Sequence, residues 1–323
     1  MKEKINILIL SCGTRNKIIQ YFKKELGSNG QVIATDCSDL APALYEADKH
    51  FIIPRINEEG YIDIILNICK ENKVRAVLSL IDPELSILAK YKQDFLSINT
   101  IPIVSDYEQV EMCFNKYDFY KFLLQNNFNT LKCYIDKGKF YQDIKNEVIK
   151  YPVFIKPIKG SASININKAY CKEEVEVLFN RYEDLMIQEY MDCEEYGADV
   201  YIDMISSKPV AIFIKRKIKM RAGETDKSVS IKDENLFDLI NKFVKKTGLK
   251  GVIDIDIFKV NGEYYISEVN PRFGGGYPHA YECGINIPKM IINNINGNVN
   301  DVDIDYDDNV YMMKFNEVMT IRR

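Results

Sequence analysis

The stretch ISEVNPRFGGGYPHA, residues Ile266 to Ala280, carries the reading that decides the fold. A carboxylate, an amide and a guanidinium (Glu268, Asn270 and Arg272) occupy every second position and run into Gly274, Gly275 and Gly276. Alternate side chains of a strand share a face. One short strand end therefore presents two hard-oxygen ligands and a cation together. Hard oxygens suit Mg2+, Mg2+ accompanies nucleotide phosphates, and arginine grips anionic oxygens bidentately. The stretch reads as the floor of a site for a triphosphate and its metal.

Immediately upstream, Asp254 and Asp256 alternate with Ile253, Ile255 and Ile257, and Asn261-Gly262 links the two strands. Asn-Gly signals a two-residue turn. That register would set Glu268 opposite Ile255 and leave a lone carboxylate on an isoleucine face, which is costly. A connection of odd length, with Gly262 in the left-handed region, pairs Asp256 with Glu268 and Asp254 with Asn270 instead. A metal site requires four polar groups on one face, so the odd register is expected.

The bulk numbers narrow the classes. A chain of 323 residues has room for two or three compact units. Apolar content of 46% and charged content of 28% are ordinary for a globular protein. A net charge of −4 gives no reason to expect nucleic acid or a membrane surface as partner. The cysteines at 12, 37, 69, 113, 133, 171, 193 and 283 include no CxxC pair. They read as reduced thiols in a cytoplasmic protein. Two histidines, His50 and His279, speak against a Ser-His-Asp triad or a histidine-rich metal centre. GxxxxGK[ST], HRD and DFG are all absent, which argues against a Walker loop or a protein kinase.

Residues 1–113 alternate strands (near 5–10, 31–35, 51–53, 76–80 and 101–104) with helices (near 15–26, 61–72, 83–93 and 106–113). Such alternation predicts an α/β doubly wound parallel sheet. The turn Ser11-Cys12-Gly13-Thr14 lacks GxGxxG and reads as a plain βα turn. Asp82-Pro83-Glu84 reads first as a helix cap, with Asp82 at the N-cap and Pro83 at the first helical position. Its alternative role is to line a cleft at the C-terminal sheet edge. From 114 onward strands and helices come in blocks, which predicts an α+β unit. It comprises helix 116–126, strand 131–134, helix 139–150, strands 152–156 and 163–167, helix 172–182 and strand 185–190. β-rich segments 196–220 and 250–270 follow, separated by helix 233–247.

Five features of this second unit recur in a fixed order. A strand ends in Lys156-Pro157, and the small-residue turn Lys159-Gly160-Ser161-Ala162-Ser163 follows. Next come Gln188-Glu189-Tyr190-Met191 with Glu195, then Arg221-Ala222-Gly223-Glu224, and finally Asp254/Asp256 with Glu268-Val269-Asn270-Pro271-Arg272. In this order they resemble the ATP-grasp superfamily, in the branch similar to carbamoyl phosphate synthase large subunits and carboxylate–amine ligases. The resemblance implies a pre-ATP-grasp domain at 1–113 and an ATP-grasp domain at 114–323. The latter divides into a small lid subdomain at 114–190 and a larger metal-binding subdomain at 191–323.

The resemblance also implies roles. Lys156 and Lys116 are expected at the phosphates, and Gly160, Ser161, Ala162 and Ser163 in a loop over the γ-phosphate. Gln188, Glu189, Tyr190 and Met191 are expected around adenine, with Gln188 where glutamate is more usual, and Glu195 at the ribose hydroxyls. Asp256, Glu268 and Asn270 are the expected Mg2+ ligands, with Mn2+ as an alternative ion. Arg272 is expected at the transferred phosphoryl group, helped by Arg221. Tyr277 and His279 are candidates for substrate contact. The acceptor pocket is expected around 11–15, 82–84, 221–227 and 277–279. The implied activity is ATP-dependent activation of a small-molecule carboxylate as an acyl phosphate for capture by an amine. A small-molecule kinase and a silent nucleotide-binding subunit or sensor are the alternatives. A homodimer is one expected assembly. With the sequence ending at Arg323, a second synthetase half or a glutaminase is not expected.

Overall fold

The computed structural model describes residues 4–160 and 166–322. Ser161, Ala162 and Ser163, expected in the phosphate loop, lie outside the described residues.

Short apolar runs build the first sheet. β1 (Asn6–Leu10), β2 (Val32–Asp36), β3 (Lys49–Ile52), β4 (Val74–Ser79) and β5 (Ile101–Pro102) are all parallel, in the order β3-β2-β1-β4-β5. β1 buries side chains on both faces, as a parallel strand covered by helices on each side must. The expected doubly wound sheet is present.

β6 (Cys133–Tyr134), β7 (Val153–Pro157), β8 (Asn167–Ala169) and β9 (Leu185–Glu189) form a small antiparallel sheet ordered β6-β9-β7-β8. One face of this sheet packs Val153, Ile155 and Ile187 against Phe140 and Val175. Register then puts Phe154, Lys156, Met186 and Gln188 together on the other face.

β10 (Glu194–Ile202), β11 (Pro209–Arg221), β12 (Glu224–Ser230), β13 (Gly251–Val260), β14 (Glu263–Asn270) and β15 (Tyr311–Met313) form an antiparallel sheet ordered β14-β13-β10-β11-β12-β15. The face carrying Ala198, Val200, Ile212, Ile214, Ile253, Ile255 and Ile257 packs on the amphipathic helix Glu234–Thr247. That helix starts where Asp233 accepts from the Leu236 amide at 3.0 Å, and ends at Gly248 with φ of 67°. Asp233 is thus an N-cap and Gly248 a left-handed C-terminal stop.

The first sheet and the last share one core. Ile7, Ile9 and Phe22 meet Phe213, Phe273 and Tyr277 in a single cluster, and Tyr21 stacks on Tyr281 at 3.6 Å. This contact fixes the C-terminal edge of the parallel sheet against the end of β14.

Several boundaries differ from expectation. The helix expected at 83–93 is two, Asp82–Lys90 and Lys92–Ser97, broken at Tyr91. The helix expected to reach 150 stops at Lys145, because the chain turns through Glu147 with φ of 57°. β12, β15 and the helices Tyr277–Glu282 and Ile287–Ile295 were not expected. β12 reads as polar, yet most of its residues are buried by neighbours on both sides. Among the described residues, no helix is long and apolar enough to cross a membrane.

Candidate active site

The β13–β14 hairpin brings together the pairs expected of it: Asp256 with Glu268, and Asp254 with Asn270. The cause is not the one expected. Asn261 and Gly262 both have positive φ, 51° and 87°, and form a two-residue turn in which Val260 pairs with Glu263. That register holds to Ile257 and Ile266, after which Ser267 bulges out and shifts β14 by one residue. A bulge adds one residue to one strand and re-aims those beyond it. Here it turns Glu268 off the isoleucine face and onto the face of Asp256.

The same face continues across β10 and β11. Gly197 pairs with Asp256 on one side and Lys215 on the other, Asp199 with Asp254, and Glu195 with Lys217. Gly197 makes room for this row: a Cβ there would lie 3.2 Å from Lys215 Cε and 3.3 Å from Lys217 Cε. Lys217 forms a close ion pair with Asp256, and Lys215 with Asp199. Burial alone would pull the Lys217 amine down, but Asp256 and Asp254 hold it above its ordinary range. Burial, then the Asp256 charge, pushes the Asp254 carboxyl up to about 7. Glu195 is also raised, mainly by burial.

Across the cleft, Lys156 stands on the inner face of β7. It is buried, which pulls its amine below the usual lysine value, and Glu268 provides the main opposing attraction. Lys116 opens the helix Lys116–Gln125, capped by Asn115, which accepts from the Tyr117 and Asp118 amides. Its amine donates to the Gly160 carbonyl and lies 3.6 Å from Glu268. Arg272 donates from Nε and Nη2 to one oxygen of Asp82, at 3.0 and 2.8 Å, and from Nη2 to Asn270 at 3.1 Å. Asp82 thus pairs with Arg272 rather than capping its helix, and the cleft alternative replaces the capping reading.

Most of these groups line one cavity of about 490 Å³, but Glu195, expected at the ribose hydroxyls, does not, nor do Asp199 and Lys215. Lys116, Lys156, Lys159 and Gly160 meet Asp254, Asp256, Glu268 and Asn270 there. Arg15, Asp82, Glu224, Arg272 and Gly275 line it as well.

Three further groups of expected site residues lie elsewhere. Arg221 is exposed, does not line the cavity, and pairs with Asp226 at 3.0 Å, because the β11–β12 turn carries it outward. Tyr277 and His279 are buried in the core. Tyr277 donates to the Ile285 carbonyl, and His279 bridges Ser228 Oγ and the Val310 carbonyl. Burial, and secondarily Lys215, lowers the His279 imidazole to about 4. Gly274 to Gly276 are no loose linker, since a side chain on Gly274 would collide with Asp254. Gln188, Glu189, Tyr190 and Met191 flank the cleft without lining this cavity. Gln188 lies on the Lys156 face beside Cys133, Glu189 accepts from the Lys132 amide at 3.2 Å, and Lys168 sits 3.5 Å over the Tyr190 ring.

Residues 113–276 match the ATP-grasp domain family, and 7–103 match the PylC-like N-terminal domain. The chain belongs to the ATP-grasp family. It is 28% identical over 201 residues to D-alanine–D-alanine ligase B of Clostridium tetani, covering 53% of this chain and 56% of that protein. D-alanine–D-alanine ligase of Acetivibrio thermocellus is 26% identical, with 49% and 50% covered. The chain spans about half the length of the curated relatives it matches. Among solved structures, the biotin carboxylase domain dimer of Hydrogenobacter thermophilus 2-oxoglutarate carboxylase superposes with a TM-score of 0.76. Its identity is 17%, 96% of this chain and 74% of that one are covered, and it was crystallised with MgADP and bicarbonate. The L-amino acid ligase of Bacillus licheniformis gives 0.69 at 19% identity, with 93% and 76% covered.

The donor chemistry of this ATP-grasp chain fits a nucleotide-bound Mg2+. Asp256, Glu268 and Asn270 are hard oxygens on adjoining positions of one face, and Lys116 and Lys156 stand across from them. Among the described residues, no three His, Cys, Asp or Glu side chains form a complete metal cage. Mg2+ bound with phosphates takes only one or two protein carboxylates and completes its shell from phosphate and water. Sequence reasoning missed Lys215 and Lys217 and gave Arg15 no role of its own. The Lys-x-Lys spacing along β11 carries the same period-two signal as Glu268 and Asn270.

Proposed function

We propose that this protein is an ATP- and Mg2+-dependent ligase that joins a small-molecule carboxylate to an amine, releasing ADP and phosphate. The observation that carries the reading is a single cavity with two kinds of lining. Lys116, Lys156, Asp256, Glu268 and Asn270 suit a metal triphosphate, and Arg15 and Arg272 suit an acid.

In this reading Lys156 and Lys116 bind the phosphates, Gln188 to Met191 hold the adenine edge, and Glu195 takes the ribose hydroxyls. Gly160 and the residues after it cover the γ-phosphate. Asp256, Glu268 and Asn270 hold the metal. When bound, Mg2+ draws charge from the phosphate oxygens. A carboxylate oxygen attacks the γ-phosphorus, the bond to ADP breaks, and Arg272 stabilises the oxygens of the acyl phosphate. The amine then attacks the acyl carbon, phosphate leaves, and the nitrogen sheds its proton. Positioning and charge stabilisation dominate such phosphoryl transfer. No histidine base is required, which suits a site from which His279 is sequestered. The parallel-sheet domain at 1–113, a lid at 114–190 and a metal-bearing body at 191–323 follow the three sheets. Eight free thiols suit a cytoplasmic setting.

The test is an ADP-release screen with paired carboxylates and amines, with products identified by mass. A stimulating pair should yield an amide, and Lys156→Ala or Glu268→Ala should abolish the stimulated ADP release. Turnover retained in either variant, or release of a phosphorylated product from every active pair, would refute the ligase assignment.

A further inference from the structure

Three separate parts of the chain meet at one partly buried ion pair in the cavity. Arg15, at the turn after β1, contacts Glu224, the first residue of β12, at 2.7 Å, and Lys314, beyond β15, reaches the same carboxylate at 2.8 Å. Gly275 lies against the pair: a Cβ there would come 2.6 Å from Glu224 Cδ and 3.0 Å from Arg15 Nη1. Burial pulls the Arg15 guanidinium down, Glu224 partly offsets this, and Arg272 lowers it further. The same pair lines the cavity with Asp82 and Arg272.

Arg15, Arg272 and Lys314 pair with Glu224 and Asp82, and Asp254 is a further carboxylate acting on both guanidinium groups. Among the described residues, the second oxygen of Asp82 is buried with no hydrogen-bond partner. A ligand carrying only a carboxylate that takes Arg15 from Glu224 leaves Glu224 with Lys314 alone. A zwitterion exchanges evenly: its carboxylate replaces Glu224 on Arg15, and its ammonium replaces Arg15 on Glu224. No charge is left unpaired in the cleft, the condition that decides the cost of burying charge. Among the described residues, Glu224 is the one carboxylate within 4 Å of the Arg15 guanidinium. The other guanidinium nitrogens therefore remain available to complete a two-point grip.

We propose that Arg15 and Glu224 recognise a zwitterionic substrate, an amino acid or a molecule with the same adjacent poles, Arg15 taking the carboxylate and Glu224 the ammonium. The assignment rests on the ligase reading for its setting, but its test is binding and is independent of which pole reacts. Arg15 is supplied by the parallel-sheet domain, so that domain contributes directly to specificity.

The test is calorimetry on the full chain with MgADP present, using the twenty common amino acids, their N-acetyl derivatives and their amides. At least one free amino acid should bind, and both blocked forms of it should bind at least tenfold more weakly. Glu224→Gln should cost the free amino acid tenfold or more and leave the N-acetyl form unchanged. Arg15→Gln should weaken the free and N-acetyl forms but not the amide. The exchange Arg15→Glu with Glu224→Arg keeps an internal pair while inverting its polarity. It should retain MgADP affinity and lose the amino acid, which a merely structural pair would not do. If Arg15→Gln does not fold, Arg15→Lys should fold and bind more weakly. Equal binding of free and blocked forms, or no amino-acid binding by a protein that binds MgADP, would overturn the assignment. ADP release with a simple carboxylate and amine in that second case would leave the ligase reading standing. Amino-acid binding with no ADP release under any pairing would support recognition and defeat the ligase reading.

Discussion

Replacing Lys217 with methionine isolates the electrostatics of the metal face. The Lys217 ammonium pairs with Asp256 and also faces Asp254 and Glu195. Methionine keeps most of the length and apolar contact but removes the charge. Asp256 would then share its face with Glu268 and Asp254 without its nearest cation. Removing one partner of a buried pair typically costs about 3–5 kcal/mol. The Asp256 side chain is 31% exposed, so water recovers part of this and the expected loss is about 2–3 kcal/mol. For a unit of this size that lowers Tm by roughly 4–12 °C. The assay is thermal unfolding of wild type and variant, with and without MgADP. A divalent cation should substitute for the missing ammonium, so MgADP should raise the Tm of Lys217→Met by more than it raises that of wild type. Equal increments in the two proteins would refute the claim that Asp256 belongs to the metal site.

Other perturbations discriminate further. Arg272→Ala should reduce turnover by about 10²-fold or more, because its guanidinium lies in the cavity. Arg221→Ala should change it less than about threefold, because that side chain is half exposed on the outer turn; steady-state ADP release compares the two. Gly275→Ala should displace the Arg15–Glu224 pair by about 0.9 Å to restore normal contact, raising substrate KM by about tenfold or more with MgADP affinity retained. His279 gives a pH signature. Its imidazole is lowered to about 4 in the folded chain, so between about 6.5 and 4 the unfolded chain binds the proton first. Stability should therefore fall as pH drops through that window, by on the order of 2 kcal/mol. His279→Gln should flatten the fall in chemical denaturation at pH 4.5 against pH 7.

The fold was legible where sequence periodicity and burial agree. The parallel strands are apolar runs, and the helix Glu234–Thr247 carries its cap residues in plain view. The pairing of Asp256 with Glu268 was also legible, because an unpaired carboxylate on the Ile255 face is energetically excluded. The bulge at Ser267 that achieves it was not, since a serine among strand residues gives no local signal of a bulge. β12 was illegible for a related reason. Glu224 and Thr225 line the cavity, while Ser228 and Ser230 are buried with hydrogen bonds to His279, Asp307 and Val310, so polar partners replace the hydrophobic pattern that marks other strands. Asp82 was read locally as a cap, and its partner Arg272 is 190 residues away. Long-range ion pairs of this kind leave no mark in sequence spacing. His279 beside the glycines suggested substrate, but a chain turning directly into a helix carries it under β12 and into the core.

In the proposed reaction the cleft between β7 and the β13–β14 hairpin holds a magnesium nucleotide. Titration calorimetry with a non-hydrolysable ATP analogue is the decisive measurement. With Mg2+ present, one site per chain should fill, and affinity should fall at least tenfold when the metal is chelated or when Lys156 is changed to alanine. A titration showing no binding heat at any temperature tried, together with no nucleotide-dependent rise in Tm, would contradict it.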